Sequence, residues 1–266
     1  MIESFLSSLD LYSWQVFLIM IAAGFATGII NTLAGSGSVI TFSIMMALGI
    51  PAPMANGTLR LGVIMQTATA SYRFFKKDKL EVRKGLILGI PVVLGSITGA
   101  LIAVNMPHDL FEKIIGGVLL FLLIFIIFDP KKWIEEQKEK TSRKVGALQV
   151  ILFFLIGSYG GFIHIGVGIF LLSALVLQAG YDLVKANALK VFMVLLYSPF
   201  AVLIYVLDGQ MEWVLGLVAA IGHFGGGLLG SHLAINKGAG FVRVLLIFII
   251  IAFSGHLLGV WDAILR

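Results

Sequence analysis

Between Asp10 and Arg60 the chain contains no Asp, Glu, Lys or Arg. A bilayer core takes roughly 20 apolar residues as helix, so this single run holds about two spans' worth. A second charge-free run covers 145–181 and is again too long for one span. No water-facing surface is built from such stretches. Across the chain 59% of residues are hydrophobic and 12% charged, against about 45–50% and 25% in soluble domains. Soluble enzymes, nucleic-acid binders and disordered chains are thereby excluded. The fold class is an all-α polytopic membrane protein.

The net charge of +5 does not point to nucleic acid, because the basic residues sit in short loops between apolar runs. The absence of cysteine excludes disulfides, thiolate metal sites and a cysteine nucleophile. The N-terminal MIESFLSSLDLYSW has no basic n-region and carries Glu3 and Asp10, so it is not expected to be a cleavable signal peptide.

Glycine and proline divide the apolar runs. The pattern predicts a helix near 14–34, a break at Gly35-Ser36-Gly37-Ser38, a short apolar piece near 38–50 and a full helix near 53–75. Spans at 85–104 and 110–128 complete a first transmembrane repeat, 1–128. A polar linker, 129–144, follows. The second repeat, 145–266, opens with a run broken around Gly157, Gly160, Gly161, Gly166 and Gly168, then continues with spans near 183–207, 212–235 and 241–261. Each half is a broken or short helix pair followed by three long helices, about 8–10 membrane segments in all. The short pieces 38–50 and 167–180 either re-enter or span.

The loop YRFFKKDKLEVRK and the linker carry six Lys or Arg each, whereas 105–109 and 208–210 carry none. The positive-inside rule places the first two in the cytoplasm, and counting outward puts both termini outside a cytoplasmic membrane. Similarity between the halves extends to residues. Gly24, Gly28 and Asn31 match Gly157, Gly161 and His164; Gly35, Gly37 and Asn56 match Gly166, Gly168 and Asn187; Gly89, Gly95 and Gly99 match Gly216, Gly222 and Gly226. An odd number of crossings per half makes the repeats inverted, and inverted repeats with broken helices are a transporter architecture.

Polar groups at bilayer depth are costly and face a bundle interior or a cavity. Arg60 lies one turn after Asn56, and Lys190 three residues after Asn187, so each half offers an amide and a cation on one face. That pairing suits a small oxyanion. The alternative is that both cations lie near helix starts and snorkel to an interface, as is expected of Lys185. Glycine breaks let a backbone approach a ligand and point half-helix N–H groups at it. Gly35, Ser36, Gly37 and Ser38 in the first half, and His164, Gly166 and Gly168 in the second, are therefore candidate lining. Close packing through small residues is the other use, expected for Gly89, Gly95, Gly99, Gly216, Gly222 and Gly226. Imidazole titrates near neutral pH, so His164, His223 and His232 are candidate proton carriers, but no embedded carboxylate partners any of them. His164, at a break, is the best candidate, and a lone histidine such as His223 or His232 is expected to be a hydrogen-bonded packing residue. No HExxH, P-loop or Ser-His-Asp pattern occurs, so neither metal, cofactor nor catalysis is expected.

The stretch GFATGIINTLAGSGSVITFSIMMALGIPAPMANGTLRLGVIMQTATASYRF, followed by GIPVVLGSITGALIA, resembles the sulfite exporter TauE/SafE family, also called TSUP. The resemblance extends over nearly the whole chain, through GGFIHIGVGIFLL and KANALKVFMVLLYSP. It implies an integral membrane carrier of sulfur-containing oxyanions such as sulfite, sulfoacetate and related sulfonates. The family's richer G-x-G-G-G run is reduced here to Gly35 and Gly37, so the resemblance implies an anion carrier without selecting the anion. The expected function is secondary transport by alternating access, with Asn31, Gly35, Ser36, Gly37, Ser38, Asn56, Arg60, His164, Gly166, Gly168, Asn187 and Lys190 at the substrate site. The alternative is a passive anion channel on the same scaffold. The expected partners are a small anion, the lipid bilayer and, as an open option, further copies in a homo-oligomer, but not nucleic acid.

Overall fold

The computed structural model describes residues 9–107, 110–111, 114, 141 and 145–257, with side chains described as far as 238 and at 241. The expected span at 110–128 and the linker at 129–144 fall almost wholly outside these residues. Of the span at 241–261, the helical backbone is described to Leu257.

Helices α1 (Trp14–Leu33), α2 (Ser38–Ala47), α3 (Ala52–Lys76) and α4 (Val82–Val104) make up the described part of the first half. The second half has α5 (Ala147–Phe162), α6 (Val167–Ser173, continued by a π-turn over Ala174–Gln178), α7 (Leu183–Leu207) and α8 (Trp213–Leu257, kinked at Gly238). No strand occurs among the described residues. Four of these helices, α1, α4, α7 and Trp213–Gly238 of α8, are long and apolar enough to cross a membrane. Helix α3 is 25 residues long but not among them, and it is the helix that carries Asn56, Arg60, Gln66 and several threonines.

Local chemistry sets the boundaries. Ser13 caps α1 by accepting from the Val16 amide, and Asp182 caps α7 by accepting from Val184 and Lys185. Pro51 and Pro53 start α3, where a missing N–H costs nothing. The breaks turn on Gly35 (φ +87°) and Gly166 (φ +74°), in the left-handed region where a Cβ is penalised. Positive φ recurs at Gly49 and Gly180, then at Asp78 and Gly209. All three pairs share one spacing, so the backbone repeats even where the residue type does not.

The halves are interleaved. Helix α1 packs along α8 and α5 along α4, so each half's first helix lies against the other half's fourth. Glycines make both contacts close. A Cβ on Gly222 would strike the Ile21 carbonyl, and one on Gly226 the Phe25 carbonyl; across the molecule, Gly95 and Gly99 meet the carbonyls of Phe154 and Ser158. These four were expected to pack helices, and they do so backbone to backbone. Gly89 and Gly216 instead make room for the side chains of Leu196 and Leu61. Central α3 and α7 pack on each other. Outward-facing Leu18, Ile90, Leu94, Leu155, Leu203, Leu217 and Ile221 are exposed, an apolar girdle that fits lipid.

Candidate substrate site at the two helix breaks

A broken helix leaves its last carbonyls without intrahelical partners. Here each broken end is capped from the opposite half. At the end of α1, Lys190 Nζ donates to the carbonyls of Asn31 (2.9 Å) and Thr32 (3.0 Å), and Asn187 Nδ2 to that of Leu33 (3.2 Å). At the end of α5, Arg60 Nη1 and Nη2 donate to the carbonyls of Gly160 (2.9 Å) and Gly161 (2.7 Å), and Asn56 Nδ2 to that of Phe162 (2.9 Å). In both cases the cation takes the two penultimate carbonyls and the asparagine takes the last. The cation follows its asparagine by four residues in α3 and three in α7, so the arrangement is kept although the register is not.

Arg60, Asn56 and Asn187 are fully buried and Lys190 is 1% exposed. Neither cation snorkels. Lys185 does lie at a surface, 3.8 Å from Glu81. Burying an ion costs several kcal/mol unless its protons are satisfied. Lys190 uses three donors, the third on Asn187 Oδ1 at 2.7 Å. Arg60 adds a bond from Nε to its own Asn56 carbonyl and lies 4.9 Å from the Tyr205 ring centroid. Tyr205 also donates to the Phe162 carbonyl and sits 2.6 Å from Asn56 Nδ2.

The breaks cross at their glycines. A Cβ on Gly35 would enter the backbone of Gly168, and one on Gly168 that of Gly35. These glycines therefore make room for each other. Beside the crossing lies a cavity of about 10 Å³, lined by Asn31, Gly35, Gln66, Thr67, His164, Val167, Gly168 and Lys190, among others. That is space for roughly one water.

The remaining expected residues divide between the breaks. Asn31 donates to Ser38 Oγ (2.8 Å) and accepts from the Ser38 amide (3.1 Å), which closes the first break. Ser36 and Gly37 form its turn, and Gly37 gives its carbonyl to Thr27. His164, at the position matching Asn31, instead has Nδ1 3.0 Å from the Tyr197 hydroxyl, and its amide donates to Asn56 Oδ1. Gly166 precedes α6 with no side-chain cap. Asn31, Gly35, His164, Gly168 and Lys190 thus meet at the cavity, while Asn56, Arg60 and Asn187 hold the broken ends around it.

Gln66, Thr67, Tyr197 and Tyr205 were not anticipated. Thr67 lies three turns beyond Asn56 on one face of α3, so helical spacing from a polar anchor was the available signal. The tyrosines read as ordinary apolar bulk.

Two helices broken at a central crossing, with buried cations on the broken ends, define a membrane transporter of the broken-helix kind. The model of the family described as sulfite exporter TauE/SafE matches residues 20–257, and the chain belongs to that family. It is similar to "Probable membrane transporter protein ORF9" of Sinorhizobium sp, 27% identical with 93% of this chain and 94% of the relative covered. It is also similar to "Probable membrane transporter protein" of Haemophilus influenzae, 29% identical over 86% and 89%. With "Probable membrane transporter protein YfcA" of Escherichia coli strain K12 it shares 25% identity over 91% and 88%. No solved structure matches.

Proposed function

We propose that this membrane transporter moves a small sulfur-containing oxyanion or organic anion, such as sulfite, sulfoacetate or a related sulfonate, by alternating access of its two halves. One observation carries the reading. Two cations are buried at the helix breaks, and helices α1 to α8 contain no Asp or Glu among their described residues. Among the described residues the interior is cationic without an internal counter-charge. Arg60 and Lys190 hold the carbonyl ends of the broken helices, and Lys190 also lines the cavity, where its positive charge faces an anion. The name of the family supports the sulfur oxyanion.

The water-sized cavity favours a carrier over a passive channel. A sulfite ion has four heavy atoms, so the halves must part on one side to admit it. Counterflow of radiolabelled sulfoacetate in proteoliposomes tests this reading. Saturable exchange, competed by sulfite, is the expected result; large non-saturating conductance in single-channel recording would establish the channel instead.

The charge distribution of the loops supports a cytoplasmic-membrane location with both termini outside. Because the chain has no cysteine, single-cysteine labelling is free of background. Lys79→Cys is expected to react with an impermeant maleimide only from the cytoplasmic side, and Gln210→Cys only from outside. The reverse pattern would invert the topology.

A further inference from the structure

A buried polar chain leads from the first break to the cavity by a route separate from the cations. Thr27 of α1 donates to the Gly37 carbonyl (3.1 Å) and lies 2.8 Å from Thr41 of α2. Thr41 Oγ is 3.5 Å from Nε2 of His223 on α8, whose Nδ1 is 2.8 Å from Gln66 Oε1 on α3. All four side chains are at most 2% exposed, and Gln66 lines the cavity. The imidazole occupies a slot cut for it. A Cβ on Gly62 would strike the ring, and one on Gly24 would come within 3.0 Å of its Cδ2.

The chain accommodates the ring in both protonation states. Neutral His223 donates from Nδ1 to Gln66 and accepts at Nε2 from the Thr41 hydroxyl, and the Thr27 hydrogen is shared between Thr41 Oγ and the Gly37 carbonyl. In the imidazolium, Nε2–H donates to Thr41 Oγ; the Thr41 hydrogen turns to Thr27 Oγ, and Thr27 keeps its bond to the Gly37 carbonyl. One hydroxyl rotates and no heavy atom moves. Surrounding titratable groups are few. Helices α1 and α2 contribute none. Helix α3 carries Arg60, held on the α5 carbonyls, and Tyr72, Arg73 and Lys76 toward its far end. From α7, Lys190 reaches the cavity, whereas Lys185, Tyr197 and Tyr205 turn to Glu81, His164 and Asn56. His164 lies across the cavity, and α8 itself adds His232 and Lys237 among its described side chains.

We propose that His223 is a proton-binding site through which anion movement is coupled to a proton. The inference rests on the anion-carrier reading. A proton taken by Nε2 from one side becomes a positive charge one residue from the cavity, behind Gln66, so proton and anion each favour the other's binding, and both are released on the opposite side.

The test uses the full chain in proteoliposomes with radiolabelled sulfoacetate, whose acid groups stay ionised near neutral pH, so any proton counted is the protein's. Wild type is expected to accumulate it under an imposed pH gradient. His223→Gln is expected to keep counterflow at equal pH but lose gradient-driven accumulation, and Thr41→Val, which removes only the hydroxyl, to weaken it severalfold. Gradient-driven accumulation by His223→Gln at the wild-type level would overturn the inference. So would wild-type exchange indifferent to the gradient, which would leave the anion carrier standing. If wild type moves no sulfoacetate, that substrate reading fails separately, and NMR of histidine-labelled protein in lipid decides the proton site. A His223 signal, assigned by its loss in His223→Gln, that takes up a proton between about pH 5 and 8 supports the site. A ring that stays neutral throughout overturns it.

Discussion

The two helix breaks are built to one plan and finished differently. In both, a cation and an asparagine from the opposite half hold the last three carbonyls. The first break is then closed by its own half, Asn31 bonding both the amide and the hydroxyl of Ser38. In the second, the matching position holds His164, which turns to Tyr197. Its cation is an arginine with an aromatic ring beneath it. The first break is self-latched beyond its cap; the second has the heavier cap and an imidazole facing the cavity. Arg60 only holds its helix end, whereas Lys190 holds an end and also lines the cavity, so holding and lining are divided unequally between the halves.

Substitution at the glycine crossing should have the largest effect. Gly35→Ala places a methyl group in the Gly168 backbone and also forces an L-residue to φ +87°, whereas Gly168→Ala meets only the clash. Overpacking costs typically 1–3 kcal/mol and the left-handed conformation about 1–2 kcal/mol more. Size-exclusion profiles after detergent extraction should show less folded protein for Gly35→Ala than for Gly168→Ala. Equal yields would mean that the crossing relaxes.

The caps come next. Arg60→Met leaves the Gly160 carbonyl unpaired and the Gly161 carbonyl with only the long Tyr205 contact (3.4 Å), and is expected to lower stability by roughly 3 kcal/mol, with Lys190→Met nearer 2 kcal/mol because it forfeits no ring contact. Thermal unfolding in detergent measures the difference. Lys190→Met alone should also weaken anion binding tenfold or more, since Lys190 lines the cavity and Arg60 does not. Equal losses of binding would erase the division of tasks.

Smaller effects separate the latches. Asn31→Ala removes two bonds and should cost about 1–2 kcal/mol. His164→Asn, which makes the two positions alike, should change stability by less than about 1 kcal/mol yet lower the rate of sulfoacetate counterflow. A stability loss as large as that of Asn31→Ala would show that His164 is also a latch. Smallest of all, Glu81→Ala breaks only the half-exposed contact with Lys185, and exposed pairs contribute about 0–1 kcal/mol.

Much of this was legible in the sequence. Charge-free runs and glycine breaks placed α1 to α4, α6 and α7 within a few residues, and the spans expected at 212–235 and 241–261 are the two arms of α8 on either side of Gly238, because bilayer length and the cost of a Cβ at positive φ act locally. Asn56 with Arg60, and Asn187 with Lys190, stood out as polar groups in apolar helices. Their partners did not. That Arg60 reaches Gly160 rather than a lipid interface depends on the C-terminal end of α5 meeting α3, a contact between residues a hundred positions apart. The thread from Thr27 to Gln66 was equally hidden, since it joins four helices and each member alone reads as a packing residue. Spacing showed which residues share a face, and only the packing showed what that face meets.

Cross-capping also constrains how the molecule is made. Synthesis runs from the N-terminus, and Lys190 follows Asn31 by 159 residues. When α1 enters the membrane, the side chains that will hold its last carbonyls have not yet been polymerised. Its end stays unfinished until α7 is threaded in, whereas Arg60 and Asn56 are already waiting when α5 arrives. The first break to be translated is therefore the last to be completed, and a chain truncated before α7 carries a helix end that nothing in its own half can seal.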